Sequence, residues 1–238
     1  MLTIFAPPRH YLLIIAALWI GLTLAEKRSE RYGVSRDAIN NITFYSLFAY
    51  LIGGRLIYAV QNFSAFAQSP LSIFSPNPDL FDVPSSLIIM ILFGSIYGKK
   101  QGLPFWGTLD ALTPIFAATA IGLHLAHFAA GTAFGSPTDL PWGIYQWNAT
   151  RHPAQIYELI AALIIFGLIW FRTTDRPPGI LFLFFTALTA GARLFLEAFR
   201  GDSTSVFGQF RFAQIISWMV LAVALFLRQK TLAHKQVS

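Results

Sequence analysis

His124 and His127 lie three apart in the run "GLHLAHFAAGT", so on a helix they share one face. A neutral imidazole accepts a proton near physiological pH, which suits it to a base. The bland alternative is a pair of polar side chains hydrogen-bonded within a helix bundle. A zinc site needs a third ligand, and none is recognisable nearby in sequence, so no metal is expected. A second group is "ARLFLEAFRGDS", where Arg193, Glu197 and Arg200 follow at i, i+4 and i+7. That spacing makes either an internal ion pair or a continuous polar stripe able to bind an anion. Arg55 follows Gly53-Gly54. Arg151 and His152 precede Tyr157 and Glu158, and Tyr11 opens the first apolar run. Asp110 stands apart, four residues before Pro114, where it is expected to satisfy backbone freed by the proline.

The elements that position these residues are apolar. The 238 residues are 55% hydrophobic and only 12% charged, about half the charge of a soluble domain. Apolar runs expected to cross about 30 Å of hydrocarbon occur at 11–25, 42–63, 84–98, 105–130, 155–171, 180–199 and 210–227, the first and third short and with ends soft by several residues. They are too long for the ten-residue alternations of a barrel. The expected fold is an all-α integral membrane protein, a seven-helix bundle forming one transmembrane domain over residues 1–238. The segment "AFAQSPLSIFSPNPDLFDV" is expected either to lie on the membrane surface or to be irregular. "RTTDRPPG" is expected to turn tightly on the cytoplasmic side.

Eleven Lys and Arg fall on one face of this topology and four on the other. The asymmetry places the N-terminus outside and the C-terminus in the cytoplasm. Arg55, His124, His127, Tyr157, Glu158, Arg193, Glu197 and Arg200 then share the outer half of the membrane, with Tyr11 and Arg151 at its rim. Buried charge is costly in lipid and faces a cavity or another charge. One polar cavity opening to the outer leaflet accounts for five helices contributing to one layer. The net charge of +6 therefore points to membrane lipid rather than nucleic acid. With no cysteine, the chain has no disulfide, thiolate site or cysteine nucleophile.

"TDLPWG" followed by "RHPAQIYE", with "ARLFLEAFRGDS", "GGRLIY", "FAQIIS" and Tyr11, resembles the prolipoprotein diacylglyceryl transferase family from about residue 11 to 228. The resemblance implies a bacterial inner-membrane, multi-pass enzyme that needs no cofactor. It implies transfer of diacylglycerol from phosphatidylglycerol to the lipobox cysteine in the signal-peptide region of a prolipoprotein. It further implies that Arg55, Arg193 and Arg200 contact phosphate or headgroup, that Glu197 holds them, and that Tyr11, Arg151, Tyr157 and Glu158 also face the phospholipid.

This chain departs from the family pattern at several positions. "PSS", Pro84 to Ser86, stands where the family has "HGG". Reading back from "GSPTDLPWG", His124 takes the place of an arginine, His127 of an asparagine and Thr132 of a glutamate. Thr189 replaces a tyrosine. Either the histidines take over, His127 as base for the thiol and protonated His124 for the arginine, or the fold and lipid cavity persist without the usual transfer. A proton-coupled transporter is the third reading, opposed by the absence of paired repeats.

Overall fold

The computed structural model describes residues 7–75, 77, 80–171, 177–206 and 210–237. Helix α1 spans Tyr11–Ser29 and runs through a 3-10 turn, Glu30–Tyr32, toward α2, Arg36–Gln61. Ser35 caps α2 by accepting from the Ala38 N–H. A short α3, Phe63–Gln68, and a 3-10 helix, Pro70–Phe74, lead to α4, Val83–Lys100. Helix α5, Phe105–Ala130, is followed by the hairpin β1, Ile144–Gln146, and β2, Ala149–Arg151. Then come α6, Ala154–Trp170, and α7, Ile180–Leu196, with a 3-10 extension over Glu197–Phe199. The two-residue strands β3, Ser205–Val206, and β4, Phe210–Arg211, precede α8, Phe212–Val237.

Each of the seven apolar runs is therefore helical over most of its length, the last beginning with the two residues of β4. Four of these helices are long and apolar enough to cross a membrane: α2, α5, Ile180–Phe199 and Phe212–Ala233. Helix α6 is apolar but has 17 residues. The last turn of α1 carries Lys27 and Arg28, and that of α4 carries Lys99 and Lys100, which shortens the apolar stretch of each. The segment after α2, expected to lie on the membrane surface or to be irregular, is partly helical. It breaks into α3 and the 3-10 turn, exposing Phe63, Leu71 and Phe74. Arg172 to Arg176 of the expected "RTTDRPPG" turn lie outside the described residues; Gly179, at φ 92°, opens α7.

Helix α5 is the axis of the molecule. Gly21 and Gly122 let α1 approach it: a Cβ on Gly21 would press on the Ile115 backbone, and one on Gly122 would meet Ala17. Small residues drive such packing in lipid, where apolar burial alone gives no preference between a helix and an acyl tail. Ala25, Val34, Ile39, Ala111 and Ile115 form one buried cluster; Ala117, Ile165, Ile169 and Leu181 form another. The paired glycines of α2 also serve packing. A Cβ on Gly53 would strike Ile89, and one on Gly54 would fall on Ser86 Oγ.

Asp110 is buried in the lower part of α5. It does not repair the backbone near Pro114: Oδ2 accepts from the Gly179 N–H at 2.6 Å and Oδ1 from the Phe182 N–H at 2.8 Å. It caps α7 from a neighbouring helix, satisfying donors that the first turn leaves unpaired.

Candidate active site

The opposite end of α5 carries the two histidines. Gly131, at φ 70°, ends the helix, and its N–H reaches the carbonyls of His127 and Phe128. The chain then rises into the β1–β2 hairpin, whose two-residue turn, Trp147 and Asn148, has positive φ at both positions. That is the twist a tight hairpin needs, and Trp147 is held there by donating its indole N–H to the Gly131 carbonyl at 2.8 Å. Below it, the Gln146 side chain donates to the Gly131 carbonyl at 3.0 Å and that of Gln155 to the Thr132 carbonyl at 2.8 Å.

This connection is stitched to the one between α7 and α8. Gly135 bridges Arg200, the Ser136 N–H donates to the Phe199 carbonyl at 2.8 Å, and the Gly201 N–H donates to the Phe134 carbonyl at 2.8 Å. A Cβ on Gly135 would collide with the His152 carbonyl, so only glycine fits. The "TDLPWG" and "RGDS" segments thus close over one end of α5, α6 and α7.

Beneath that roof lies a charged cluster centred on Glu158, whose side chain is 4% exposed. Arg193 Nη1 donates to Glu158 Oε1 at 2.6 Å, and its Nη2 is 2.8 Å from Glu197 Oε2. Arg200 Nη1 lies 3.3 Å from Oε1 and 3.4 Å from Oε2 of Glu158, while its other edge meets Asp202 at 2.8 and 3.0 Å. Glu197 is 2% exposed and also accepts from Ser203 Oγ at 2.5 Å. Arg211 Nη1 donates to the Glu197 carbonyl and, at 2.8 Å, to the Arg200 carbonyl. The two nearly sealed carboxylates, Glu158 and Glu197, persist because each faces a guanidinium; stripping the partner from a buried charge typically costs about 3–5 kcal/mol.

His124 joins the cluster from α5, with Nδ1 3.2 Å from Glu158 Oε2. At that distance an Nδ1–H can donate to the carboxylate, and a protonated ring pairs with it as a charge. The His127 ring lies edge-on to His124, centroids 6.2 Å apart at 70°. The histidines therefore do have a third titratable companion, supplied by α6 from 31 residues downstream of His127. Sequence spacing conceals it because only the α5–α6 packing brings it near.

His124, His127, Glu158, Arg193, Glu197 and Arg200 are thus gathered in one place. Other expected members are held elsewhere. Arg55 donates Nε to the Ile73 carbonyl at 2.8 Å, Nη1 to the carbonyls of Asn77 and Leu80 at 3.0 and 2.5 Å, and Nη2 to those of Ser72 and Ser75 at 2.9 and 2.6 Å. Those bonds engage all three of its nitrogens, so in this structure it clasps the α3–α4 connection rather than presenting a free fork to phosphate. Arg151 donates to the Gln146 and Gly135 carbonyls at 3.0 and 3.2 Å and sits over the Phe134 ring, bracing the hairpin. Tyr157 OH accepts from the Trp142 indole N–H at 2.8 Å, at the rim. The Tyr11 ring lies on His10, centroids 4.0 Å apart. Pro84 to Ser86 begin α4, where the Asp82 carboxylate accepts from the Ser85 N–H at 2.9 Å. Asp202, Ser203 and Arg211 were not singled out by sequence; the first two were visible only as the tail of "RGDS".

Chemically, the cluster offers two guanidinium groups beside two imidazoles, joined by one carboxylate. The guanidinium side suits a phosphate and the imidazole side suits a proton or a soft nucleophile. The sequence pattern of the prolipoprotein diacylglyceryl transferase family matches residues 4–229. A relative from Clostridioides difficile, named phosphatidylglycerol–prolipoprotein diacylglyceryl transferase, is 33% identical over 208 residues, covering 87% of this chain and 83% of its own. Proteins of the same name from Nostoc sp. and Trichormus variabilis are 29% and 30% identical, covering 90% and 87% of this chain and 81% and 79% of their own. With the match running through both stitched connections and all of the clustered residues, this chain belongs to the prolipoprotein diacylglyceryl transferase family.

Proposed function

We propose that this protein transfers the diacylglyceryl group of phosphatidylglycerol to the lipobox cysteine thiol of prolipoproteins, in the outer half of the bacterial cytoplasmic membrane. The observation that carries the reading is Glu158, which joins Arg193 and Arg200 on one side to His124 on the other. Displacement at a glyceryl carbon needs a thiolate entering and phosphate charge departing. Arg193 and Arg200 receive the phosphate, and Glu197 and Asp202 orient them through the pairs described above. His124 and His127 with Glu158 activate the thiol. His124, nearest the carboxylate, is protonated there in the place of the family's arginine or passes a proton to Glu158.

Seven helices cross the membrane in this reading, N-terminus outside and C-terminus in the cytoplasm. The Lys and Arg asymmetry supports the direction. The apolar residues exposed along α1, α2, α4 and α8 suit contact with lipid tails. Phosphatidylglycerol reaches the cluster from the outer leaflet and the signal-peptide region of the prolipoprotein supplies the cysteine that this chain lacks.

The purified protein in detergent, given headgroup-labelled phosphatidylglycerol and a lipobox peptide, should release glycerol phosphate and form a thioether-linked lipid. A peptide with serine in place of cysteine should give neither product. If the cysteine peptide stays unmodified under conditions where the Clostridioides difficile relative works, the chain has kept the fold and lost the transfer.

A further inference from the structure

One potential ligand atom from each of His124, His127 and Glu158 lies within 4.8 Å of the other two. Neither histidine Nδ1 has a hydrogen-bond partner, although both atoms are buried. At 3.2 Å from Glu158 Oε2, Nδ1 of His124 either donates a proton to the carboxylate or, deprotonated, shares a cation with it. We propose that His124, His127 and Glu158 form a transition-metal site, best suited to zinc, whose open position takes the thiolate of the substrate cysteine. The inference rests on the transferase reading above and adds the means by which the thiol is activated.

Three features beyond proximity support it. The first is the ligand set. Two imidazoles and one carboxylate with a fourth position free is an arrangement typical of catalytic zinc, and a soft thiolate is a good fourth ligand. Zinc bonds of about 2.0–2.2 Å set neighbouring ligand atoms roughly 3.4 Å apart. The His124–Glu158 pair already stands at 3.2 Å. The His127 ligand atom, within 4.8 Å of the other two, closes to about 3.4 Å when the metal binds.

The second is the support behind the carboxylate. Arg193 and Arg200 engage Glu158 Oε1, at 2.6 and 3.3 Å, and leave Oε2 as the edge turned toward His124. A metal-ligating carboxylate is commonly oriented in just this way by hydrogen bonds to its other oxygen. Arg200 also lies 3.4 Å from Oε2, which biases rather than blocks that edge.

The third is charge. Arg193, Arg200 and Arg211 are balanced by Glu158, Glu197 and Asp202. A bare dication would therefore be unmatched, but the reaction brings two anions, the thiolate and the phosphodiester. Metal, thiolate and lipid phosphate together restore neutrality, so substrate binding and metal binding favour one another.

The step balances without an outside reagent. Coordination removes the S–H proton, because a metal-bound thiol ionises outright. The thiolate sulfur forms a bond to the glyceryl carbon while the carbon–oxygen bond to the phosphate breaks. The electron pair leaves with that oxygen, against Arg193 and Arg200. Glycerol phosphate departs carrying the proton that the thiol lost, and the metal is neither oxidised nor consumed.

The test uses the full chain purified in detergent, with zinc content measured directly and cobalt(II) added to chelator-treated protein. One zinc per chain is expected. Cobalt should give the visible absorption of a tetrahedral site, changing when the cysteine lipobox peptide is added and unchanged by the serine peptide. His127→Asn should weaken zinc binding roughly 10- to 100-fold; Glu158→Gln should do the same wherever it folds. Chelation should abolish transfer and zinc should restore it. Full transfer by metal-free protein, or zinc binding equal in the wild type and a His124→Ala/His127→Ala double variant, would overturn the metal site and leave the transferase standing, with the imidazoles as simple bases. Stoichiometric zinc with a peptide-dependent cobalt spectrum but no transfer would keep the site and sink the transferase reading.

Discussion

Two sets of arginines near one end of the bundle show how differently the same side chain is used. Arg55, on α2, hands its N–H groups to carbonyls between residues 72 and 80. Arg193 and Arg200, on α7 and just beyond it, meet carboxylates and remain next to a pair of imidazoles. Backbone carbonyls are fixed by the fold, so Arg55 is locked with them. Carboxylates on separate helices form an adjustable charge system, in which an incoming phosphate competes for the same donors. Arg193 keeps its side chain 34% exposed while Glu158 and Glu197 beneath it are nearly sealed. An arginine inside an apolar helix marks a polar place; its partners decide whether the place is scaffold or site.

The largest test of that contrast is Arg193→Lys. Lysine keeps the charge but loses the planar fork that spans Glu158, Glu197 and a phosphate oxygen. Losing one preorganised donor to developing charge costs about 100-fold or more in turnover. Transfer measured against lipid concentration should fall by about that factor, with the melting temperature little changed. A fall below fivefold would mean that Arg193 is scaffold like Arg55.

Arg55→Ala should behave in the opposite sense. It strips the donors from five carbonyls, so stability should drop by about 2–3 kcal/mol, and proteolysis within residues 70–82 should quicken. Transfer by the protein that remains folded should stay within about threefold of wild type. A loss near 100-fold at unchanged stability would return Arg55 to the headgroup and erase the contrast.

The sequence made the helices plain because apolar runs of this length have few other uses. The 105–130 run matches α5 end for end. It also made plain that Arg193, Glu197 and Arg200 belong together, because helical spacing alone aligns them. What it did not disclose lies between helices. That Glu158 faces His124, and Asp110 the start of α7, depends on how α5 packs against its neighbours, and a three-residue or four-residue period holds no such information. The fate of Arg55 was hidden for another reason. Its partners are backbone carbonyls, which every residue has and no sequence pattern marks.

Asp110 extends the comparison to carboxylates. Like Arg55 it ends on backbone, at Gly179 and Phe182, whereas Glu158 ends on side chains. Asp110→Asn keeps the shape and one acceptor but sets an amide against an N–H. Stability should fall by about 1–2 kcal/mol, read from thermal unfolding in detergent. Transfer and zinc content should be unchanged in the folded fraction. A selective loss of transfer would show that the start of α7 is coupled to the far end of the bundle.

Tyr157→Phe probes the edge of the site with the smallest effect. The hydroxyl accepts the Trp142 indole N–H, and the ring packs edge-on against Phe199, centroids 5.7 Å apart. Removing the hydroxyl leaves the ring contact intact and frees an indole that is already exposed to solvent. An exposed hydrogen bond of this kind contributes about 0.5–1 kcal/mol, since water replaces the lost partner. The "TDLPWG" loop should then loosen slightly, raising the KM for the peptide no more than threefold and leaving kcat alone. A fall in kcat would place the Tyr157 hydroxyl on the reacting lipid and extend the site from Glu158 to its neighbour at the rim.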